Sequence, residues 1–159
     1  MRSATVPALL ATILLASACV EIDGGAVEIS WVIRSPAGGG ITDCSCAQPA
    51  IGTVRLVLRG VGGAIEGATP CAGRAQCDFP CQRQTGATPF DIPETKPGET
   101  YEVSVVAVAA GVELPQVKKP ASILREVVRG QPTEVEAFQL VADCAVECGM
   151  NSSGVCARP

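Results

Sequence analysis

Apolar residues recur at every second position in three segments of this chain, 27–34, 54–59 and 101–107. In the first segment Trp31 shares one face with apolar neighbours, while polar residues such as Glu28 and Ser30 occupy the other. Successive side chains of a β-strand point to opposite faces, so this spacing predicts strands that are buried on one side. The sequence therefore predicts an all-β protein with Trp31 in its core.

Two further segments, 123–128 and 135–141, are also predicted strands, although their alternation is less regular. Ile65 and the segment 90–92 are candidates for short edge strands. Glycine and proline mark the turns between strands, and these signals stand at residues 38–40, 62–63, 97–98 and 130–132. Short strands between such turns are typical of a single antiparallel β-sandwich of about seven strands. We expect this domain to span residues 26–142.

The first 18 residues have the organisation of a secretory signal peptide. Arg2 supplies a positive charge, and residues 6–16 form an apolar run. A membrane-spanning helix needs about twenty such residues, so this run is too short to span a bilayer. Ala16 and Ala18 then match the small-residue cleavage pattern. We expect a signal helix at residues 1–18 that is removed on export, with cleavage between Ala18 and Cys19.

The residues before this bond resemble the lipobox of bacterial lipoproteins. The match is the pentapeptide LASAC that ends at Cys19, with the usual leucine at position −4 and Ala16 at −3. The resemblance implies that Cys19 receives a diacylglycerol group and an amide-linked acyl chain such as palmitate, and that residues 19–25 form a short lipidated tether. Val20 is not Asp, which by the same resemblance implies the outer membrane as the destination.

The chain contains nine cysteines, an odd number for an exported protein. If Cys19 carries lipid, the others can close four disulfides, and they are Cys44, Cys46, Cys71, Cys77, Cys81, Cys144, Cys148 and Cys156. Their connectivity does not follow from the sequence, although the short spacing of Cys71 and Cys77 favours a local bridge. A metal site is not expected, because no C-x2-C pair and no histidine are present and exported thiols oxidise.

A second resemblance is carried by the segments 97–103, PGETYEV, and 130–135, GQPTEV. They are similar to the hairpin and closing strand of prealbumin-like β-sandwiches, which include carboxypeptidase-regulatory-like and Cna-B-like modules. Lipoproteins of this type have one cysteine before the second strand and another after Phe-Pro, which here are Cys46 and Cys81. The resemblance implies a Cys46–Cys81 bridge. Cys44 would then pair with a cysteine of the Cys-rich C-terminal tail, residues 143–159.

Composition removes several classes of chemistry. The absence of histidine excludes Ser-His-Asp and Cys-His nucleophile activation. A net charge of −4 without a basic run excludes nucleic acid as a main partner. Asp91 and Glu94, or Glu99 and Glu102, are close enough in sequence to share a surface, but Glu99 and Glu102 flank a turn and an exposed strand face where acids are normally solvated. No catalytic residue, metal or cofactor is predicted.

These observations predict a non-catalytic, lipid-anchored protein of the cell envelope that presents its β-sandwich to an envelope protein or a glycan. The alternative is a carbohydrate-binding module of the same fold, for which Phe79 and Phe90 are the only aromatic candidates outside the predicted core. A small carboxylate-dependent hydrolase is a weaker alternative. The tail, residues 143–159, is a further candidate for docking a partner. The expected contacts are the membrane, through the lipid, and an unidentified protein or glycan.

Overall fold

The computed structural model describes residues 22–36 and 41–143, together with the backbone of two short strands at 149–150 and 156–157. The regular structure of these residues consists of strands and three single-turn 3-10 helices. None of the described helices is long and apolar enough to cross a membrane. The strands are β1 (Ala26–Arg34), β2 (Ile41–Thr42), β3 (Thr53–Val61), β4 (Asp78–Pro80), β5 (Thr85–Ala87), β6 (Thr100–Ala109), β7 (Val112–Glu113), β8 (Ile123–Arg125), β9 (Pro132–Glu134), β10 (Phe138–Val141), β11 (Gly149–Met150) and β12 (Cys156–Ala157).

The first five-stranded sheet is built around β1, which pairs with all four of its other strands. Strand β1 pairs antiparallel with β2 and β5, and it pairs parallel with β9 and β10. Glu28 has Ala87 of β5 on one side and Glu134 of β9 on the other, so β1 has neighbours along both edges. The sheet is therefore mixed. It differs from the expected antiparallel arrangement in the parallel pairing of β1 with β9 and β10.

The second five-stranded sheet is organised by β3 and β6, which pair antiparallel over nine residues from Thr53↔Val108 to Val61↔Thr100. β4 pairs with the first part of β3. β8 pairs with the beginning of β6, and β7 pairs with its end. This ladder is the longest pairing among the described strands and forms the centre of the sheet.

The two sheets share one hydrophobic core, which confirms the all-β, sandwich-like fold. The alternate residues predicted to face inward on the three regular segments are all buried, as the period-two pattern requires. Trp31 is 1% exposed, which confirms its predicted place in the core. The inward residues are Val27, Ile29, Trp31, Ile33, Val54, Leu56, Leu58, Tyr101, Val103, Val105 and Ala107.

Some of the predicted elements differ from the observed ones. Ile65 is not in an edge strand but ends a 3-10 helix, Gly63–Ile65, within a loop closed by hydrogen bonds between Gly60 and residues 67–68. The segment 90–92 contributes one isolated bridge, Gly25↔Ile92. The strand predicted at 123–128 ends at Arg125. Residues 38–40, a predicted turn, lie outside the described residues.

Trp31 lies at a junction between the sheets. Its ring stacks on Phe79 of β4 with centroids 6.3 Å apart, so the contact joins a strand of one sheet to a strand of the other. Its Nε1 donates a hydrogen bond to the Cys81 carbonyl oxygen at 3.0 Å, which satisfies the only polar group of the buried indole. Gly86 of β5 lies directly against the Phe79 ring. The short connection from β4 to β5 thus carries the chain from one sheet to the other around this junction.

A disulfide fixes the same junction. Cys81 is bridged to Cys44, with Cα atoms 6.0 Å apart, and Cys71 is bridged to Cys77, as predicted. The expected Cys46–Cys81 bridge is wrong, and so is the expected pairing of Cys44 with the C-terminal tail. Backbone hydrogen bonds bring Cys44 to Cys81, because the Ile51 N–H donates to the Cys44 carbonyl at 2.8 Å and the Cys81 N–H donates to the carbonyl of the next residue, Gly52, at 3.0 Å. Cys46 is disulfide-bonded as well, in neither of these two bridges.

We expect the two described bridges to contribute unequally to stability. Cys44 and Cys81 are 37 residues apart and Cys71 and Cys77 only 6, and a longer closed loop restricts the unfolded chain more. Replacing the pair Cys44 and Cys81 by alanine should cost about 4 kcal/mol of unfolding free energy, and replacing Cys71 and Cys77 about 2 kcal/mol. Urea unfolding of the oxidised variants measures both costs. A larger cost for the Cys71 and Cys77 pair would contradict the explanation by loop length.

Gly86 should be intolerant of any side chain. A Cβ at this position would lie 2.6 Å from Phe79 Cδ1, so Gly86→Ala must displace the ring that stacks on Trp31. We expect G86A to cost about 1–3 kcal/mol of unfolding free energy. Gly52→Ala is the matched control, because its Cβ would meet Val108 O at an ordinary 3.7 Å. If the ring is responsible, G86A will cost less in an F79A background, which a double-mutant cycle in urea measures.

Candidate functional site

The predicted lipid-attachment site, with Ala18 and Cys19, lies outside the described residues. So do Cys144 and Cys148, while Cys156 is described only as backbone of β12. The other five predicted cysteines are all disulfide-bonded, and they are Cys44, Cys46, Cys71, Cys77 and Cys81. Among the described residues, no group of three or more cysteine, aspartate or glutamate side chains is arranged to hold a metal ion. The cysteines whose side chains are described are therefore held in disulfides.

Asp91 and Glu94 do not form a convergent pair of acids. The Asp91 carboxylate is ion-paired with the Arg74 guanidinium. Glu94 Oε2 lies 3.9 Å from Arg129 Nε, on the segment that follows β8. Each acid is thus neutralised by a base of its own, and both remain partly exposed. Glycoside hydrolysis needs two carboxyl groups that face each other across a cleft, one of them buried, and Asp91 and Glu94 do not form such a pair.

Glu99 was expected to be solvated, and this is wrong, because it is buried with 4% of its surface exposed. Its Oε1 accepts a hydrogen bond from the Ala64 N–H at 2.7 Å, and its Oε2 accepts one from the Lys96 N–H at 2.9 Å. These backbone donors, Lys96 first and Ala64 second, lower the pKa of the carboxyl group because they stabilise its charged form. The reason for its burial is structural, since the carboxylate ties the 3-10 helix at 63–65 to the turn before β6.

The Glu99 carboxylate has no partner acid. Glu102 lies on the face of β6 that points away from the core, and it accepts a hydrogen bond from Ser122 Oγ at 2.7 Å. Tyr101 lies between them in sequence and is fully buried, and burial raises the pKa of its phenol. Its hydroxyl has no hydrogen-bond partner among the described residues. The acids of this segment therefore hold the local structure and leave no pair of carboxylates facing a common space.

A groove on the outer face of the first sheet was not anticipated from the sequence. Its volume is about 510 Å³, and β1, β5 and β9 supply most of its walls. The outward positions of β1 could have indicated it, because Glu28 and Ser30 alternate with the buried residues of that strand. The lining residues are Glu28, Ile29, Ser30, Arg83, Thr85, Gly86, Ala87, Glu134 and Val135.

Three of the nine residues that line this groove are charged, namely Glu28, Arg83 and Glu134. Glu28 and Glu134 are direct neighbours across the parallel β1–β9 pair, where two like charges repel each other. Neither has an ion pair or side-chain hydrogen bond within the described part of the chain, and the same holds for Arg83. All three are exposed. The groove can therefore hold polar or charged groups of a partner, but it lacks the buried acid that hydrolysis requires.

The aromatic residues do not form a binding row. Phe79, expected outside the core, is 6% exposed and stacks on Trp31, so that expectation is wrong. The segment Phe79-Pro80-Cys81 has no alternation of apolar and polar residues, so the sequence did not indicate that Phe79 is buried. Phe90 is 41% exposed, whereas Trp31, Tyr101 and Phe138 are buried. Since all five aromatic residues of the chain are described, Phe90 is the one accessible aromatic surface.

The chain matches no family model, no curated protein and no solved structure in comparisons with known proteins.

The buried Glu99 carboxylate should make stability depend on pH. Because its pKa is lowered in the folded protein, it contributes stability above its ordinary pKa of 4.5, and this contribution is lost as the pH falls through the folded value. Glu99→Gln should be less stable than the wild type at about pH 7, and the gap should narrow towards about pH 3. Urea unfolding across this range measures the gap.

Glu136→Gln is the matched control for this experiment. The Glu136 side chain is 82% exposed, and its only described partner is Arg125 at 3.4 Å. We expect E136Q to follow the wild type across the whole range, because an exposed ion pair of this kind contributes little. A constant difference between E99Q and the wild type from neutral to acid pH would show that the charge of Glu99 is not what stabilises the turn.

Proposed function

We propose that this chain is an exported, lipid-anchored protein of the cell envelope whose β-sandwich presents a binding surface and carries out no catalysis. The observation that supports export best is the state of the cysteines. All five cysteines whose side chains are described are disulfide-bonded. Disulfides persist in oxidising compartments and are rare in the cytosol, so they agree with a signal peptide at residues 1–18.

The odd number of cysteines supports lipid attachment at Cys19. Nine cysteines cannot all pair within one chain. Cys19 follows the lipobox-like residues directly, so thioether linkage to diacylglycerol removes the unpaired thiol and anchors the protein at the same time. One acyl chain gives only reversible membrane binding, whereas several chains hold a protein firmly. Val20 after Cys19 supports the outer membrane as the destination.

The groove along β1, β5 and β9 supports a role in contacting a protein. Its three exposed charged side chains, Glu28, Arg83 and Glu134, have no described partners and are available to complementary charges. Protein interfaces use such polar rims to select partners. The carbohydrate-binding alternative is weaker, because sugar rings stack on exposed aromatic surfaces and Phe90 is the one that this chain offers. A carboxylate-dependent hydrolase has no supporting pair of buried acids in the described residues.

The intact mass of the protein extracted from membranes tests this proposal. Alkylation without reduction should leave the protein unmodified, and its mass should equal the chain from Cys19 plus a lipid. Alkylation after reduction is the control and should add eight groups, one for each cysteine other than Cys19. An unlipidated mass together with one reactive thiol would mean ordinary secretion, and the proposal of a lipid anchor would then be abandoned.

A further inference from the structure

Three backbone segments meet at the end of the sandwich where β1 begins. The Gly25 N–H donates to the Ile92 carbonyl at 2.9 Å, and the Ile92 N–H donates back to Gly25 at 3.1 Å. The Gly130 N–H donates to the Gly24 carbonyl at 2.9 Å. A Cβ on Gly25 would lie 2.5 Å from the Val128 carbonyl oxygen, which shows how closely these segments pack. We call this region, formed by residues 22–25, 90–96 and 127–131, the tether end.

Each of the three segments exposes one large apolar side chain. Ile22 is 42% exposed, Phe90 is 41% exposed and Val128 is 48% exposed. Each lies two residues before a hydrogen-bonded residue of the junction, so the backbone that carries it is held in place. Three of the six exposed large apolar side chains of the described residues are therefore gathered at this end. Apolar groups clustered in this way are characteristic of a contact surface.

The charges of the tether end favour an uncharged surface as its partner. Asp91 is neutralised by Arg74, and Glu94 lies beside Arg129. The exposed charges of the tether end that remain without a described ion pair are one acid, Asp23, and one base, Lys96, so this end has no excess charge that would draw it to a charged surface. The attraction must therefore come from the apolar side chains, and it requires a zwitterionic or neutral interface.

The length of the tether places this end beside the anchor. Gly24 stands five positions after Cys19, and a fully extended chain spans at most about 3.6 Å per position, or about 18 Å in all. The opposite end of the sandwich is farther away, because the ten residues of β6 add about 33 Å at 3.3 Å per residue. A lipid on Cys19 thus keeps the tether end near the bilayer and the opposite end away from it.

We propose that the tether end rests on the membrane interface, with Ile22, Phe90 and Val128 in contact with zwitterionic lipid. The inference depends on the proposed lipid attachment at Cys19. It adds a fixed orientation, in which the sandwich stands on the membrane through these three side chains and the end that carries β7 and the Cys44–Cys81 bridge points away. The anchor and the apolar contacts then act together, since the anchor supplies the local concentration that three side chains alone would not achieve.

Quenching by brominated phosphatidylcholine tests this orientation on the full lipidated protein in phosphatidylcholine vesicles. The probe is Phe90→Trp, and the matched control is Val112→Trp, since Val112 is 68% exposed on β7 at the opposite end. The native Trp31 is 1% exposed and provides a baseline to subtract, measured in the wild type. We expect the quenching of F90W to be at least about threefold that of V112W, because interfacial side chains penetrate the headgroup region. Val128→Trp should behave like F90W and provides a second probe from another segment.

The outcomes separate this inference from the proposed anchor. The mass of each variant is measured before reconstitution, so the presence of the lipid is known independently of the quenching. Equal quenching of F90W and V112W in a lipid-bearing protein would overturn the orientation and leave the anchor intact. A protein without lipid would overturn both. Strong quenching of F90W and V128W with little quenching of V112W would support the orientation.

Discussion

The contact between Trp31 and Phe79 is the interaction on which the rest of this fold depends. It joins β1, the central strand of one sheet, to β4 at the side of the other. The hydrogen bond from the Trp31 indole to the Cys81 carbonyl and the Cys44–Cys81 bridge fix the same place from two directions. Gly86 is required beside the ring because any side chain there would occupy its space. Aromatic packing, a buried hydrogen bond and a covalent link therefore coincide where the chain changes sheets.

The long strands could be predicted from the sequence because their alternation is local information. β1, β3 and β6 each present apolar residues on one face over nine or ten positions, so the pattern stands out from its surroundings. The three-residue strands β4 and β5 are too short to alternate, and they contain Pro80 and Gly86, which by themselves indicate turns. The parallel pairing of β1 with β9 and β10 depends on residues about one hundred positions apart, and no local pattern encodes it.

The environment of the polar residues depends on contacts between distant segments, which the sequence pattern does not contain. Glu99 stands beside a turn, where an acid is usually solvated, and only the fold shows that backbone donors from Lys96 and Ala64 surround it. Cys44 and Cys81 are brought together by their backbone hydrogen bonds to the adjacent residues Ile51 and Gly52, which the spacing of the cysteines does not reveal. The groove of Glu28, Arg83 and Glu134 likewise requires strands from distant parts of the chain. Local periodicity thus predicted burial, while the chemistry of the surface depended on topology.

The parallel pairing of β1 with β9 and β10 also governs the order in which the protein can fold. The first strand of the sandwich stays without two of its four partners until residues 132–141 are available. The β3–β6 ladder needs only the middle of the chain and can form earlier. Pairings between distant segments are slow to form because loop closure must precede them. The sheet around β1 can therefore be completed only when the last strands of the domain, β9 and β10, have reached it.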